Sequence, residues 1–113
     1  MKILEHCTLC PRKCGINRIT TKGYCGASYE IKAAKAYLHQ WEEPCISWKN
    51  GAGTIFFSGC SLHCCYCQNN YISNEQFGKE ITIKQLSEII LNLQKSGADN
   101  IEFVTPTHFV PHI

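Results

Sequence analysis

The chain has 113 residues, 44% of them hydrophobic and 18% charged, which is the composition of one small folded domain or part of a larger one and not of a disordered segment. A formal net charge of +2 carried by scattered basic residues argues against nucleic acid as a partner, and no apolar stretch is long enough to span a membrane. Nine cysteines, an odd number, behind a start with no apolar signal-peptide core, point away from a secreted disulfide scaffold and towards a reducing cytoplasm.

Residues 1–30 hold Cys7, Cys10, Cys14 and Cys25 among Pro11, Gly15, Gly23 and Gly26, with no apolar periodicity. Something other than a hydrophobic core must order such a segment. Four cysteines suffice to close a second metal site, either Cys₄ zinc or an iron–sulfur cluster, and a closed site is structural or electron-relaying. Arg12, Lys13 and Arg18 either offset thiolate charge there or are solvated.

Residues 31–41 are ambiguous. Ala33, Ala34 and Ala36 favour helix, yet Ile31, Ala33, Lys35, Tyr37 and His39 alternate with their neighbours without leaving a clean polar face. An extended segment is expected, with Lys32 to Lys35 as a solvated face. Residues 42–53 read as a loop around Pro44, Gly51 and Gly53; His39, Glu42 and Glu43 sit upstream of the next strand, where they either approach the site or form a charged surface loop. Thr54-Ile55-Phe56-Phe57 is a short β-branched and aromatic run bounded by glycines, the pattern of a buried strand.

The run Cys60-Ser61-Leu62-His63-Cys64-Cys65-Tyr66-Cys67 follows directly and has the form C-x-x-x-C-x-x-C. Closely spaced thiolates suit an iron–sulfur cluster, because iron in these clusters is held by soft sulfur ligands. A [4Fe–4S] cube has four irons to ligate and this run offers three thiolates, Cys60, Cys64 and Cys67. The remaining iron would be open to a small molecule, as an open position distinguishes catalytic from structural zinc. Cys65 is off the spacing and reads as a bystander thiol; His63 reads as a loop residue.

Residues 82–96 carry the clearest helix: Thr82 and Gln85 form a capping box, Ile83, Leu86, Ile89, Ile90 and Leu93 make one apolar stripe, and Gly97 stops it. Ile101-Glu102-Phe103-Val104 reads as the next strand, and the β–loop–α–β order predicts a parallel pair joined by a right-handed crossover. Thr105-Pro106-Thr107-His108 then turns at Pro106.

The cysteine motif, with Tyr66 before its third cysteine, resembles the signature of the radical S-adenosylmethionine superfamily. Gly53-Thr54-Ile55-Phe56-Phe57-Ser58-Gly59-Cys60, Gln68-Asn69, the span Cys7 to Cys25, Glu42-Glu43-Pro44 and Phe103-Val104-Thr105-Pro106-Thr107-His108 extend the resemblance to uncharacterised proteins related to pyruvate formate-lyase activating enzyme. The resemblance implies a [4Fe–4S] cluster on Cys60, Cys64 and Cys67 whose open iron chelates S-adenosylmethionine. It further implies an oxidoreductase-like reaction, reductive cleavage to methionine and a 5′-deoxyadenosyl radical. An electron donor such as flavodoxin or ferredoxin, and a glycyl radical enzyme as a partner, are the interactions it suggests. Tyr66 would pack over cofactor or cluster, with a plain core role as the alternative. Many family members carry a Gly-Gly-Glu-Pro-like segment where this chain has Thr105 to His108; in its place the hydroxyls of Thr105 and Thr107 could accept from the cofactor's amino group. Relatives carry similar cysteines at the amino end.

The fold class implied is α/β: a cysteine-rich, loop-dominated segment over 1–50, then over 51–113 the start of a radical S-adenosylmethionine partial (β/α) barrel. Such a barrel has about six units and needs on the order of 200 residues. The chain therefore reads as an N-terminal fragment, able to bind a cluster and a poor enzyme alone. The rival reading is a non-enzymatic iron–sulfur or zinc-binding module that carries electrons or scaffolds a partner through an incomplete sheet.

Overall fold

A computed structural model of the chain describes residues 1–40, 45–46 and 48–113. Glu42 and Glu43, and the Pro44 of the expected loop, lie outside the described residues. After a 3₁₀ turn at Lys2–Leu4, the elements are β1 (Ile31–His39), β2 (Ala52–Phe57), α1 (Asn70–Ser73), β3 (Lys79–Ile81), α2 (Ile83–Lys95), β4 (Asn100–Val104) and a closing 3₁₀ turn, Thr107–His112. The strands form one mixed sheet in the order β3-β1-β2-β4. β1 is antiparallel to both β2 and β3, whereas β2 and β4 are parallel. Among the described residues no helix is long and apolar enough to cross a membrane.

The parallel pair is the one expected from the β–loop–α–β order, and β2 extends two residues further back than the Thr54–Phe57 run suggested. α2 begins as read. The Thr82 hydroxyl accepts from the Gln85 amide at 3.1 Å, and the Gln85 side chain accepts from the Thr82 amide at 2.9 Å. Gly97 takes a left-handed φ of 96° just past its end. Of the predicted stripe, Leu86 and Leu93 are buried and Ile89 and Ile90 half-buried against the sheet. Each of the two leucines contributes about 1.5–3 kcal/mol by leaving water. Ile83 is 51% exposed, because the first helical position stands at the mouth of a groove with Met1, Tyr29 and His112 instead of over the sheet.

β1 explains its own ambiguity. Its register against β2 slips between Ala33 and Lys35, where Ala33 opposes Phe57 and Lys35 opposes Phe56. A bulge inserts one residue, so side-chain parity inverts along the strand. Ile31 and Ala33 share the face of Ile55 and Phe57; beyond the bulge Lys35, Tyr37 and His39 share the opposite face with Phe56 and Thr54. No single alternation could describe both halves.

The core lies between α2 and one sheet face. Ile31, Ile55, Phe57, Leu86 and Leu93 fill it, and Phe109 of the closing turn seals it with its ring centroid 5.7 Å from that of Phe57. Two short elements had no sequence signal: α1, a single turn, and β3, three residues paired only to β1.

Residues 1–30 form no helix or strand beyond the first turn. Main-chain bonds close them instead: Arg18 N–H to the Leu4 carbonyl (2.8 Å), Cys7 N–H to Ile16 (2.9 Å) and Gly15 N–H to Cys7 (2.9 Å).

Candidate metal centres at the sheet edge

Parallel β2 and β4 end at the same edge of the sheet, and both candidate loops leave from there. Ser58, Gly59 and the cysteine run follow β2; Thr105 follows β4 and its hydroxyl donates to the carbonyls of Val104 (2.7 Å) and Phe57 (3.3 Å). Thr105 holds a φ of 53°, an uncommon conformation for a β-branched residue and a point of local strain. Thr107 is exposed at the start of the closing turn, so the structure brings Thr105 to the end of β2 and leaves Thr107 on the rim.

Cys60, Cys64 and Cys67 are all free thiols and all half-buried on one loop. The Leu62 amide donates to the Cys60 sulfur at 3.4 Å, and the Cys67 sulfur lies 3.5 Å from the Ser73 hydroxyl on α1. The Cys67 amide donates to the Cys64 carbonyl at 3.2 Å. This donor set fits a thiolate-ligated cluster in chemistry: soft sulfur, partial exposure, an amide donating to the Cys60 sulfur and a hydroxyl within reach of that of Cys67. Among the described residues, no three His, Cys, Asp or Glu side chains converge on a common point as a single metal ion would demand. Cys65 is exposed, in keeping with a bystander. Tyr66 is 87% exposed, which excludes the plain core role and leaves its ring free above the loop. His63 takes a φ of 56° and stacks on Tyr24, with centroids 4.2 Å apart.

The loop is anchored by the amino-terminal cysteine segment. The Cys60 amide donates to the Cys25 carbonyl at 3.1 Å. Gly59 (φ 86°) makes that approach possible, since a Cβ there would sit 2.3 Å from the Cys25 carbonyl oxygen. Arg12 donates to the carbonyls of Ser61 and Leu62 and lies over the Tyr24 ring at 3.6 Å. Arg12 is thus a bracket between the two cysteine segments, a role that no local sequence signal carries. Gln76 of the loop after α1 also reaches the Cys25 carbonyl, at 3.4 Å.

Arg18 is buried, at 1% exposure. It donates twice to the Ser28 carbonyl (3.1 and 2.7 Å) and once to that of His108. The solvated reading of Arg18 is therefore wrong: its side chain threads between the cysteine segment and the closing turn. His108 is buried beside it, its Nε2 2.7 Å from the Ser58 carbonyl. Burial pushes its pKa down to about 4, and the Arg18 charge adds to the effect, so the ring is neutral near pH 7. Burial raises the Cys25 thiol, against which the Ala27 amide and Arg18 act in the opposite sense.

On the sheet face away from α2, a pocket of about 350 Å³ is lined by Lys35, Tyr37, His39, Thr54, Phe56 and Val104 together with Gln68 and Asn69, the residues that follow the cysteine motif. The Lys35 ammonium donates to the Tyr71 hydroxyl (3.3 Å) and sits 4.7 Å from the Phe56 ring centroid. The bulge turned Lys35 to this face, where it is half-buried and its bond to Tyr71 stays open to solvent.

Residues 49–105 match the family described as a 4Fe–4S single cluster domain. An uncharacterized protein of Methanocaldococcus jannaschii is 32% identical over 120 residues, covering 98% of this chain and 33% of that protein. The chain thus spans about a third of the length of the curated relative it matches. No solved structure gives a significant match.

Proposed function

The chain belongs to the 4Fe–4S single cluster domain family, and from that premise we propose that it is the cluster-bearing part of a radical S-adenosylmethionine protein. Cys60, Cys64 and Cys67 hold the cluster and leave one iron open. The observation that carries the reading is the placement of these three thiols on one loop at the carboxyl end of β2, next to the parallel end of β4. In α/β sheets of parallel strands, ligand sites gather at that end.

The group, when bound, would supply one-electron cleavage of S-adenosylmethionine to methionine and a 5′-deoxyadenosyl radical. The chain's own residues position and shield. The Leu62 amide and Ser73 hydroxyl lie within bonding reach of the Cys60 and Cys67 sulfurs and stabilise thiolate charge. Thr105 uses its proton on backbone carbonyls, which leaves oxygen lone pairs to accept from the cofactor's amino group. Thr107, on the rim, would serve as a second acceptor, and the exposed Tyr66 ring would be available to pack on the bound cofactor. The pocket beyond Gln68 and Asn69 lies on the face that would become the interior of a partial (β/α) barrel. An electron donor such as flavodoxin or ferredoxin, and a glycyl radical enzyme as the recipient of the radical, are the partners this reading assigns.

Anaerobic reconstitution with iron and sulfide, followed by EPR of the reduced protein with and without S-adenosylmethionine, tests it. A [4Fe–4S]⁺ signal that changes on adding S-adenosylmethionine is expected. A signal indifferent to S-adenosylmethionine would leave a cluster carrier with no open iron and overturn the proposal.

A further inference from the structure

Arg12, the bracket between the two cysteine segments, also belongs to an exposed face. It lies over the Tyr24 ring at 3.6 Å, and His63 of the cluster loop stacks on the same ring at 4.2 Å. Pro11, Arg12, Ser61 and Leu62 line an open hollow of about 430 Å³ between the segments. Leu62 is 66% exposed and Tyr24 49%, and Pro11 is exposed beside them. A lone exposed apolar residue means little, but several that adjoin one another mark a contact surface. This one is the outer side of the loop that carries Cys60 and Cys64.

Charge on this face has one sign. From His6 to Tyr29 the chain carries Arg12, Lys13, Arg18 and Lys22 and no aspartate or glutamate, and from Ser58 to Asn74 it carries no acidic residue either. Arg18 is buried, which leaves Arg12, Lys13 and Lys22 exposed. Lys13 lies between Arg12 and Cys14, and Lys22 precedes Gly23 and Tyr24. Arg12, Cys14, Gly23 and Tyr24 line one cavity, so the three cations leave the chain within one small neighbourhood. Among the described residues none of the three has a carboxylate partner. An uncompensated basic rim around exposed apolar residues complements an acidic protein. Three cations are few for nucleic acid, whose binders can make about 6–10 phosphate contacts. The aliphatic surface of Pro11 and Leu62 also suits a protein contact better than stacked bases.

We propose that Pro11, Arg12, Lys13, Lys22, Tyr24 and Leu62 form the docking face for an acidic one-electron carrier protein. The inference rests on the cluster assigned to Cys60, Cys64 and Cys67 and holds whether or not one iron is open. One electron leaves the carrier's reduced iron–sulfur or flavin centre and takes [4Fe–4S]²⁺ to [4Fe–4S]⁺; no bond of this chain forms or breaks. The cations steer the encounter, and apolar contact at Leu62 and Tyr24 excludes water once the carrier is seated. Redox encounters of this kind bury less than about 1,200 Å² and come apart again, which a small face of this sort permits.

The test mixes the reconstituted full chain with a reduced, acidic plant-type [2Fe–2S] ferredoxin in stopped flow. The second-order rate constant for cluster reduction is expected to fall about tenfold or more between low and high salt, and by a similar factor with Lys13→Glu and Lys22→Glu combined. Leu62→Ser should slow the reaction severalfold and leave its salt dependence intact. Photoreduced 5-deazaflavin, a small neutral reductant, should reduce the parent and every variant at one rate, which separates lost docking from a damaged cluster. A carrier rate that stays within about twofold in the charge-reversed variant would overturn the proposal. A second arm needs no cluster and keeps failure of the cluster reading distinct. In the full chain with Cys60→Ala, Cys64→Ala and Cys67→Ala combined, oxidised ferredoxin should shift the amide resonances of residues 12–13, 22–24 and 61–63, and high salt should abolish the shifts. Shifts confined to other surfaces, or equal shifts of these residues by a single-stranded oligonucleotide, would overturn it.

Discussion

The two halves of the molecule are held together by different physics. In the sheet half, β2, β4 and α2 bury Ile55, Phe57, Leu86 and Leu93 in one apolar core. In the amino-terminal half, Leu4 and Cys7 are buried but no apolar stripe exists, and main-chain bonds and a buried guanidinium do the ordering. The second leans on the first, through the Arg18 bond to the His108 carbonyl and the burial of Ala27 in the sheet's core. A loop that must present half-exposed sulfur at a sheet edge is thereby clamped from both sides, by β2 behind it and by Cys25 and Arg12 beside it.

Removing the core should break the sheet half outright. Phe57→Ala deletes a fully buried ring that touches Phe103 and Phe109. Denaturant unfolding should show a loss of about 3–5 kcal/mol, a large share of the stability of a domain this size. An effect below about 1 kcal/mol would mean that the apolar core is not what holds β2, and the contrast between the halves would collapse.

Acid should act at the seam. His108 is neutral and buried between Arg18 and Ser58. Its folded pKa of about 4 lies below the ordinary 6.5, so between those values the unfolded chain binds a proton that the folded one refuses. Stability should therefore fall as pH drops from about 6.5 to about 4, by up to about 3 kcal/mol, and that share of the dependence should level off below. His108→Gln, compared with the parent chain across this range in urea titrations, should flatten the slope. An unchanged slope would place the acid sensitivity elsewhere.

The smallest effect is local to the sheet half. Thr82→Ala removes the hydroxyl that caps α2 and should cost about 1 kcal/mol, read as a shift in the urea midpoint with no change in slope.

Sequence alone determined what short-range pattern can carry. The capping box of α2, its Leu86 and Leu93 stripe, the apolar run of β2 and the parallel β2–β4 pairing follow from spacing of three to four residues, from alternation, or from element order. The spacing of Cys60, Cys64 and Cys67 likewise pointed to a cluster, because three ligands on one short loop need no fold to bring them together. Tertiary structure alone decided the rest. The bulge in β1 inverts the faces of Lys35, Tyr37 and His39, and a register slip is fixed by the partner strand and not by the strand's own residues. The burial of Arg18, the reach of Arg12 to Ser61, and the bond from Cys60 to Cys25 join positions that are 35 to 90 residues apart. Such contacts depend on how the whole chain packs, so no window of neighbouring residues encodes them. They are also what sets the two cysteine loops side by side.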